Sequence, residues 1–251
     1  MNSQDGVLDV KKFYSKKNSR SYRQGDEISK ESPNITHRCE ILRKLSSSFD
    51  HKITALDLGC GTGRYFHCLW NTTNLTGIDI SQYMLEGART PIKRGEIHID
   101  HIDLVCGDIL NLDLPPASFD LIYSIGVLGE YTQFNSEICY RIFNLLKPGG
   151  KTFFTVVDFN AKILSQNLVD KVSGILYQIL PRFLRQFAIK NRFLYPLQNA
   201  DIEQKRRKNY LKLSALQEIL KQSQFSQWKI TRFMSKSHFW RGGHFECIAI
   251  K

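Results

Sequence analysis

The feature that most restricts this chain is the segment Ala55-Leu56-Asp57-Leu58-Gly59-Cys60-Gly61-Thr62-Gly63-Arg64-Tyr65, an apolar run that ends in three alternating glycines. The run from Ile53 to Leu58 has the shape of a parallel strand buried on both faces. Glycines accept positive φ and let a ligand come close to the backbone. A strand that enters such a turn belongs to the middle of an open α/β sheet, whose ligand crevice lies at the carboxyl ends of the strands. Counted from Gly59, the dinucleotide pattern GxGxxG requires glycine at position 64, where Arg64 stands. This argues against NAD or FAD, and the absence of GxxxxGK followed by Ser or Thr argues against a P-loop.

The rest of the chain repeats the strand and helix alternation. A helix is expected over Pro33 to Leu45, capped by Ser32, and another from Gly63 to Trp70. Strands are expected at Leu75 to Ile80, Ile102 to Cys106, Phe119 to Ser124 and Lys151 to Val157. A helix begins near Ser81, and one over Glu137 to Leu146 is stopped by Lys147-Pro148-Gly149-Gly150. After Asp158 the rhythm gives way to Leu164, Leu168, Val172, Ile175, Ile179, Phe183 and Phe187 at helical spacing, interrupted by Pro181. A helix from Ser214 to Gln222 and strands at Trp228 to Phe233 and Phe245 to Ile250 follow, with Gly242-Gly243 in the hairpin between the strands. Such βα units imply a doubly wound, mostly parallel sheet with helices on both faces. The expected organisation is an N-terminal cap segment (1–50), a core (51–158 and 209–251) and a helical insert (159–208) that serves as a lid or a dimer contact.

Two acids give the glycine turn its context. Gly77-Ile78-Asp79-Ile80-Ser81 places a carboxylate at the end of the second strand, where it can accept hydrogen bonds from both hydroxyls of a ribose. Cys106-Gly107-Asp108-Ile109 places another at the end of the third. With Phe119-Asp120-Leu121-Ile122-Tyr123-Ser124 and Leu145-Leu146-Lys147-Pro148-Gly149-Gly150, the order and spacing resemble class I S-adenosylmethionine-dependent methyltransferases of the small-molecule type. The resemblance is close from Ile53 to Asp158 and looser from Leu211 to Ile250, where LKLSALQEILKQSQF is similar to the family's late helix.

The resemblance implies a Rossmann-like sheet of seven strands with the last one antiparallel. It also implies S-adenosyl-L-methionine as cofactor and S-adenosyl-L-homocysteine as product. Gly59, Cys60, Gly61 and Gly63 would lie against the methionine part, and Asp57 would order the turn. Asp79 would hold the ribose, Asp108 would face the adenine amino group, and Ile80 and Ile109 would flank the ring. Ser124 falls in the same site. Tyr14 and Tyr22, in FYSKKNSRSY, are similar to the N-terminal tyrosine segment that closes over the cofactor, with Tyr22 the better match.

The implied chemistry is in-line displacement of a methyl group from a sulfonium, which depends chiefly on holding nucleophile, carbon and sulfur in line. Many small-molecule members carry His-His after a Gly-Val-Leu sequence. Here Gly126-Val127-Leu128 is followed by Gly129-Glu130-Tyr131, so Glu130 and Tyr131 take the place of a histidine base. Glu130 could bind a cationic amine or accept a proton, and Tyr131 could shape the acceptor pocket. His238 and His244 are read as structural.

The formal charge of +11 favours anionic partners. Ten Lys and Arg against Asp170, Asp201 and Glu203 lie between Ala161 and Lys208, outside the signature segments. The expected acceptor is a small, partly apolar metabolite, as in natural-product biosynthesis, methylated on oxygen or nitrogen. The run Lys205-Arg206-Arg207-Lys208 motivates an RNA methyltransferase as an alternative. A cofactor-bound scaffold that does not methylate is the alternative of another class. No apolar run reaches the roughly 20 residues that span a bilayer, so a cytoplasmic protein is expected, with peripheral membrane contact compatible with the basic insert. The six cysteines (Cys39, Cys60, Cys68, Cys106, Cys139, Cys247) lack CxxC or Cys/His ligand spacing and are read as reduced thiols without a metal. A monomer and a homodimer are both compatible with the sequence.

Overall fold

The computed structural model describes residues 10–111, 113–161, 181, 206–233 and 243–251. Two helices, α1 (Lys16–Ser29) and α2 (Pro33–Ser46), precede β1 (Ile53–Leu58). Next come β2 (Thr72–Asp79), α3 (Gln82–Ala88), β3 (His101–Cys106), β4 (Phe119–Ser124), α4 (Ser136–Leu145) and β5 (Leu146–Val157). The chain closes with α5 (Leu213–Lys221), β6 (Gln227–Phe233) and β7 (His244–Ile250). The strands form one sheet of seven in the order β3-β2-β1-β4-β5-β7-β6. The first five run parallel, and β7 pairs antiparallel with both β5 and β6, as the sequence predicted.

Alternation along the strands divides the core between the two faces. Ile53 and Ala55 of β1, with Leu121 and Tyr123 of β4, pack against α2 and α3. Leu56 and Leu58, with Ile122 of β4 and Phe154 of β5, pack against α4 and α5. Neither face meets solvent, which is why β1 and β4 read as continuous apolar runs. The α2 helix is further tied to the sheet by His37 and Arg38, which reach the buried Glu246 of β7 at 2.8 and 3.4 Å.

Several expectations need correction. The helix expected from Gly63 to Trp70 is a single 3-10 turn at Phe66–Cys68, because Gly63 takes φ +73° and Leu69 is already extended. The Lys147-Pro148-Gly149-Gly150 segment does not precede β5 but forms its beginning. Cys39 and Cys68 are joined in a disulfide, not free, because α2 and the 3-10 turn bring their Cα atoms to 4.9 Å. Cys60, Cys106, Cys139 and Cys247 are free thiols. The apolar stripe of the insert and His238 lie outside the described residues, as does Gly242 of the expected hairpin turn. The flanks of the insert do meet: Leu211 N–H donates to Val157 O at 3.2 Å, and Phe159 N–H to Leu211 O at 2.9 Å. Among the described residues no helix is long and apolar enough to cross a membrane.

Asp120 closes the amino-terminal edge of the sheet. Its carboxylate accepts from Thr54 N–H of β1 at 2.8 Å, from Lys147 Nζ of β5 at 2.7 Å and from His51 Nε2 at 3.2 Å. Burial opposes its ionisation, but these donors outweigh that effect and hold its carboxyl below the ordinary range. Asp120→Asn should therefore cost about 1.5–3 kcal/mol at pH 7, the range for hydrogen bonds to a charged group. A depressed folded pKa contributes stability above the unfolded value near 4, and loses it as pH falls through the folded value. The difference between variant and wild type should accordingly shrink in acid, which urea unfolding at pH 7 and pH 3 measures. An equal gap at both pH values would contradict this account of the cluster.

Candidate active site

The site forms where β1 ends. Gly59 N–H and Cys60 N–H both donate to Ile78 O of β2 at 2.8 Å, so the glycine turn folds across the end of the neighbouring strand. Gly59 has φ +83°, and a Cβ there would collide with the Val127 side chain. Only glycine lets this turn approach the β4 loop so closely. Asp79 ends β2 with both oxygens held by backbone donors: Oδ2 accepts from Gly61 N–H and Oδ1 from Ser81 N–H, each at 2.9 Å. These two bonds fix the carboxylate plane and leave lone pairs aimed at the cavity for further donors. Burial raises the Asp79 carboxyl, and the two amides oppose that rise. Asp108 follows β3, and its Oδ1 accepts from Leu110 N–H at 3.0 Å.

One cavity spans these elements. Tyr22, Gly59, Gly61, Asp79, Ile80, Asp108 and Ile109 line it, so seven of the eleven residues assigned to a cofactor on sequence grounds meet at one place. The other four stand behind its wall. Asp57 lies buried beneath the turn, and burial pushes its carboxyl up to about 8, with the Tyr123 phenol opposing and the Asp79 charge adding. Cys60 is buried and packs toward Gly77, where its sulfur would stand 3.1 Å from an added Cβ. Gly63 faces Phe66 and Pro91, which a Cβ would meet at 2.7 and 3.1 Å. The Ser124 hydroxyl donates inward to Leu58 O at 2.8 Å. These four shape the site without lining it.

Tyr14, Ile125, Gly126, Val127, Tyr131 and Thr132 also line the cavity. Tyr131 therefore lies where the sequence placed it, and Tyr14 joins Tyr22 on the cavity wall. The rings of Tyr14 and Tyr131 meet edge to face at 5.7 Å, and those of Tyr14 and Tyr22 at 6.0 Å. Burial holds the Tyr14 phenol well above its ordinary range, so it stays protonated at neutral pH. Glu130 differs from the expectation: it does not line the cavity, and its carboxylate is paired with Arg206, whose guanidinium also lies over the Tyr131 ring at 4.4 Å. A carboxylate neutralised in this way is poorly placed to take a proton from a substrate.

The N-terminal segment is part of the site. Asp26 of α1 is wholly buried and accepts from the Thr62 hydroxyl and from Arg64, whose Nε lies at 2.6 Å. Arg64 in turn sits under the Tyr22 ring at 4.9 Å. Ser81 caps α3 through Met84 N–H and donates its hydroxyl to Tyr14 O at 2.8 Å. Sequence reading missed Asp26 and Met84. The only signal for Asp26 was an acid set in a basic, weakly apolar helix.

Comparisons with known proteins agree with this geometry. Residues 56–154 match the family described as Methyltransferase domain. A malonyl-acyl-carrier-protein O-methyltransferase of Priestia megaterium is 28% identical over 120 residues, which cover 46% of this chain and 41% of that protein. A ubiquinone biosynthesis O-methyltransferase of Coxiella burnetii is 27% identical over 142 residues, covering 56% and 57%. The matches thus span about half the length of these curated relatives. Among solved structures, magnesium protoporphyrin IX methyltransferase from Synechocystis, with bound S-adenosylhomocysteine, superposes with a TM-score of 0.61 at 14% identity over 97% of this chain and 99% of that one. Phosphoethanolamine N-methyltransferase 2 of Haemonchus contortus gives 0.61 at 16% identity over 98% and 59%. At such identities these two structures establish the fold alone. Residues 56–154 thus carry a methyltransferase domain, and the strand order and the glycine turn flanked by two acids support a class I S-adenosylmethionine-dependent methyltransferase.

Proposed function

We propose that this chain moves the methyl group of S-adenosylmethionine to an oxygen or nitrogen of a small, partly apolar metabolite of the natural-product kind. The observation that carries this reading is the composition of the cavity at the ends of the strands. Its lining combines the acids Asp79 and Asp108 with Ile80, Ile109 and Met84, and the phenols of Tyr14 and Tyr131 with Ile125 and Val127. The first group fits a ribose and an aromatic base, since Asp79 is pre-oriented for hydroxyl donors and the aliphatic side chains offer flat apolar contact. The second group fits an acceptor with an apolar body and one or two polar atoms.

When bound, the cofactor supplies an electrophilic methyl group on a sulfonium. The chain's own work is positional. Asp79, held by Gly61 and Ser81, would hold the ribose, and Asp108 would meet the adenine amino group. The apolar lining would exclude water from an acceptor held against Tyr14 and Tyr131 and orient it towards the methyl group. Tyr14, kept protonated, can donate to an acceptor oxygen. Glu130 acts as a positioning residue, since its ion pair sets Arg206 against the Tyr131 ring. This arrangement favours acceptors that arrive already nucleophilic, or that need only a hydrogen bond to be oriented.

Arg206 also bears on the RNA alternative. Of the four adjacent cations that motivated it, Arg206 turns inward to Glu130 and Tyr131, so the run presents fewer charges to a phosphate backbone.

Asp79→Ala should lower S-adenosylhomocysteine affinity at least tenfold by calorimetry. Tyr131→Ala should raise the acceptor KM while leaving that affinity within about twofold. Equal losses of cofactor binding in both variants would remove the division of the cavity into two subsites. The acceptor class is tested by labelled methyl transfer into extract fractionated into small molecules, lipid, RNA and protein. Label in the small-molecule pool, absent with Asp79→Ala, is the expected result. Label in RNA overturns the acceptor assignment, and cofactor binding with no label in any pool favours the non-methylating scaffold.

Asp57 adds a pH signature. With its carboxyl raised to about 8, the free protein carries it protonated at neutral pH. The ammonium and sulfonium charges of a bound cofactor favour the ionised form, so the complex holds fewer protons than the free protein. S-adenosylmethionine affinity should therefore rise from about pH 6 to about 8, by at most about tenfold per unit, and level off above. Asp57→Asn should flatten that rise. A slope unchanged in the variant would assign the pH dependence to another group.

A further inference from the structure

The disulfide partners Cys39 and Cys68 share their surroundings with a third side chain, His67, on the 3-10 turn behind the glycine loop. Its Nε2 lies 3.7 Å from Cys39 Sγ and 3.5 Å from Cys68 Sγ. All three residues are buried, with exposures of 3%, 2% and 0% for Cys39, His67 and Cys68. The other ring nitrogen, Nδ1, is buried without a hydrogen-bond partner. A buried imidazole that faces two sulfurs with one nitrogen and nothing with the other is a costly way to fill space. One nitrogen set against two sulfurs is also the arrangement in which His and Cys share a metal ion.

We propose that the reduced form of this cluster, Cys39, His67 and Cys68, binds one thiophilic cation, and that Cu⁺ is its natural occupant. A cation about 2.3 Å from a thiolate and about 2.0 Å from an imidazole nitrogen, at a bond angle of roughly 115°, sets sulfur and nitrogen about 3.6 Å apart. Nε2 already stands at that spacing from both sulfurs. The change required is opening of the sulfur pair. A dithiol reductant supplies two electrons and two protons to the disulfide and closes into its own disulfide, leaving two thiols. Cation binding then releases those two protons. Among the described residues, the group of His, Cys, Asp and Glu side chains converging here contains these three members. Soft thiolate ligands select Zn²⁺ as well as Cu⁺, but structural Zn²⁺ sites are almost always four-coordinate, whereas Cu⁺ accepts three ligands. The two sulfurs and one nitrogen that converge among the described residues therefore suit Cu⁺ better. Disulfide and metal are alternative ways of joining α2 to the loop that leaves the glycine turn.

The test uses the full chain carrying Cys106→Ser, which removes the one exposed free thiol. The protein is reduced anaerobically, given one equivalent of Cu⁺ or Zn²⁺, desalted and assayed for metal by mass spectrometry, with bicinchoninate competing for Cu⁺. The expected result is about one Cu⁺ per chain, accompanied by sulfur-to-copper charge-transfer absorption, with Zn²⁺ lost on desalting. Cys68→Ser should abolish retention, and His67→Gln should weaken it at least tenfold. Unreduced protein should bind neither ion. Circular dichroism and S-adenosylhomocysteine binding establish that both variants are folded, and His67→Gln alone decides the matter if Cys68→Ser is not. Absence of Cu⁺ from reduced protein, retention unchanged in His67→Gln, or Zn²⁺ retained in place of Cu⁺ would overturn the proposal.

Discussion

The close approach of the β1 turn to the β4 loop is the constraint on which the site depends. No side chain fits between Gly59 and Val127, and with φ at +83° no L-residue would take the required backbone without strain. Because the turn crosses the end of β2, with Gly59 and Cys60 N–H both on Ile78 O, the next amide, that of Gly61, comes within reach of Asp79. One backbone crossing thereby sets the floor of the cavity and orients its principal carboxylate. The buried Asp57 belongs to the same arrangement: it sits where the turn leaves the strand, and its raised pKa is the electrostatic cost of closing that space over a carboxyl group.

What the sequence disclosed follows the same logic. Strands buried on both faces must be apolar throughout, so β1 and β4 stood out as runs, and Asp79 and Asp108 stood out by their spacing beyond the glycine turn. Pro148 and Gly149, which end a helix in most contexts, misled at β5, since the strand starts within them. The α1 helix offered no apolar stripe because its buried residues are Ser19 and Asp26. It is held by hydrogen bonds to Thr62 and Arg64 instead of by an apolar stripe, and no window of hydropathy reports such an attachment. The Cys39–Cys68 pair is invisible for a different reason. Twenty-nine residues separate the partners, and the contact exists only once α2 lies against the 3-10 turn.

The polar attachment of α1 changes how the site should be thought of. Thr62 and Arg64 belong to the glycine turn itself, so a carboxylate from the N-terminal helix is wired into the element that defines the cofactor cavity. Tyr22 lies one helical turn before Asp26 and faces both Arg64 and the cavity. Tyr14 is tied to the loop after Asp79 through Ser81, and its ring reaches Tyr131. The N-terminal segment thus joins the cavity lining and touches both. A buried carboxylate is expensive unless fully paired, and Asp26 is paired only when the helix is docked. Undocking α1 would leave Arg64 and Thr62 to water and would open the cavity at the same time, so docking and enclosure are coupled through one side chain. This coupling explains how a helix with almost no apolar residues can stay packed against the cavity that Tyr22 helps to line.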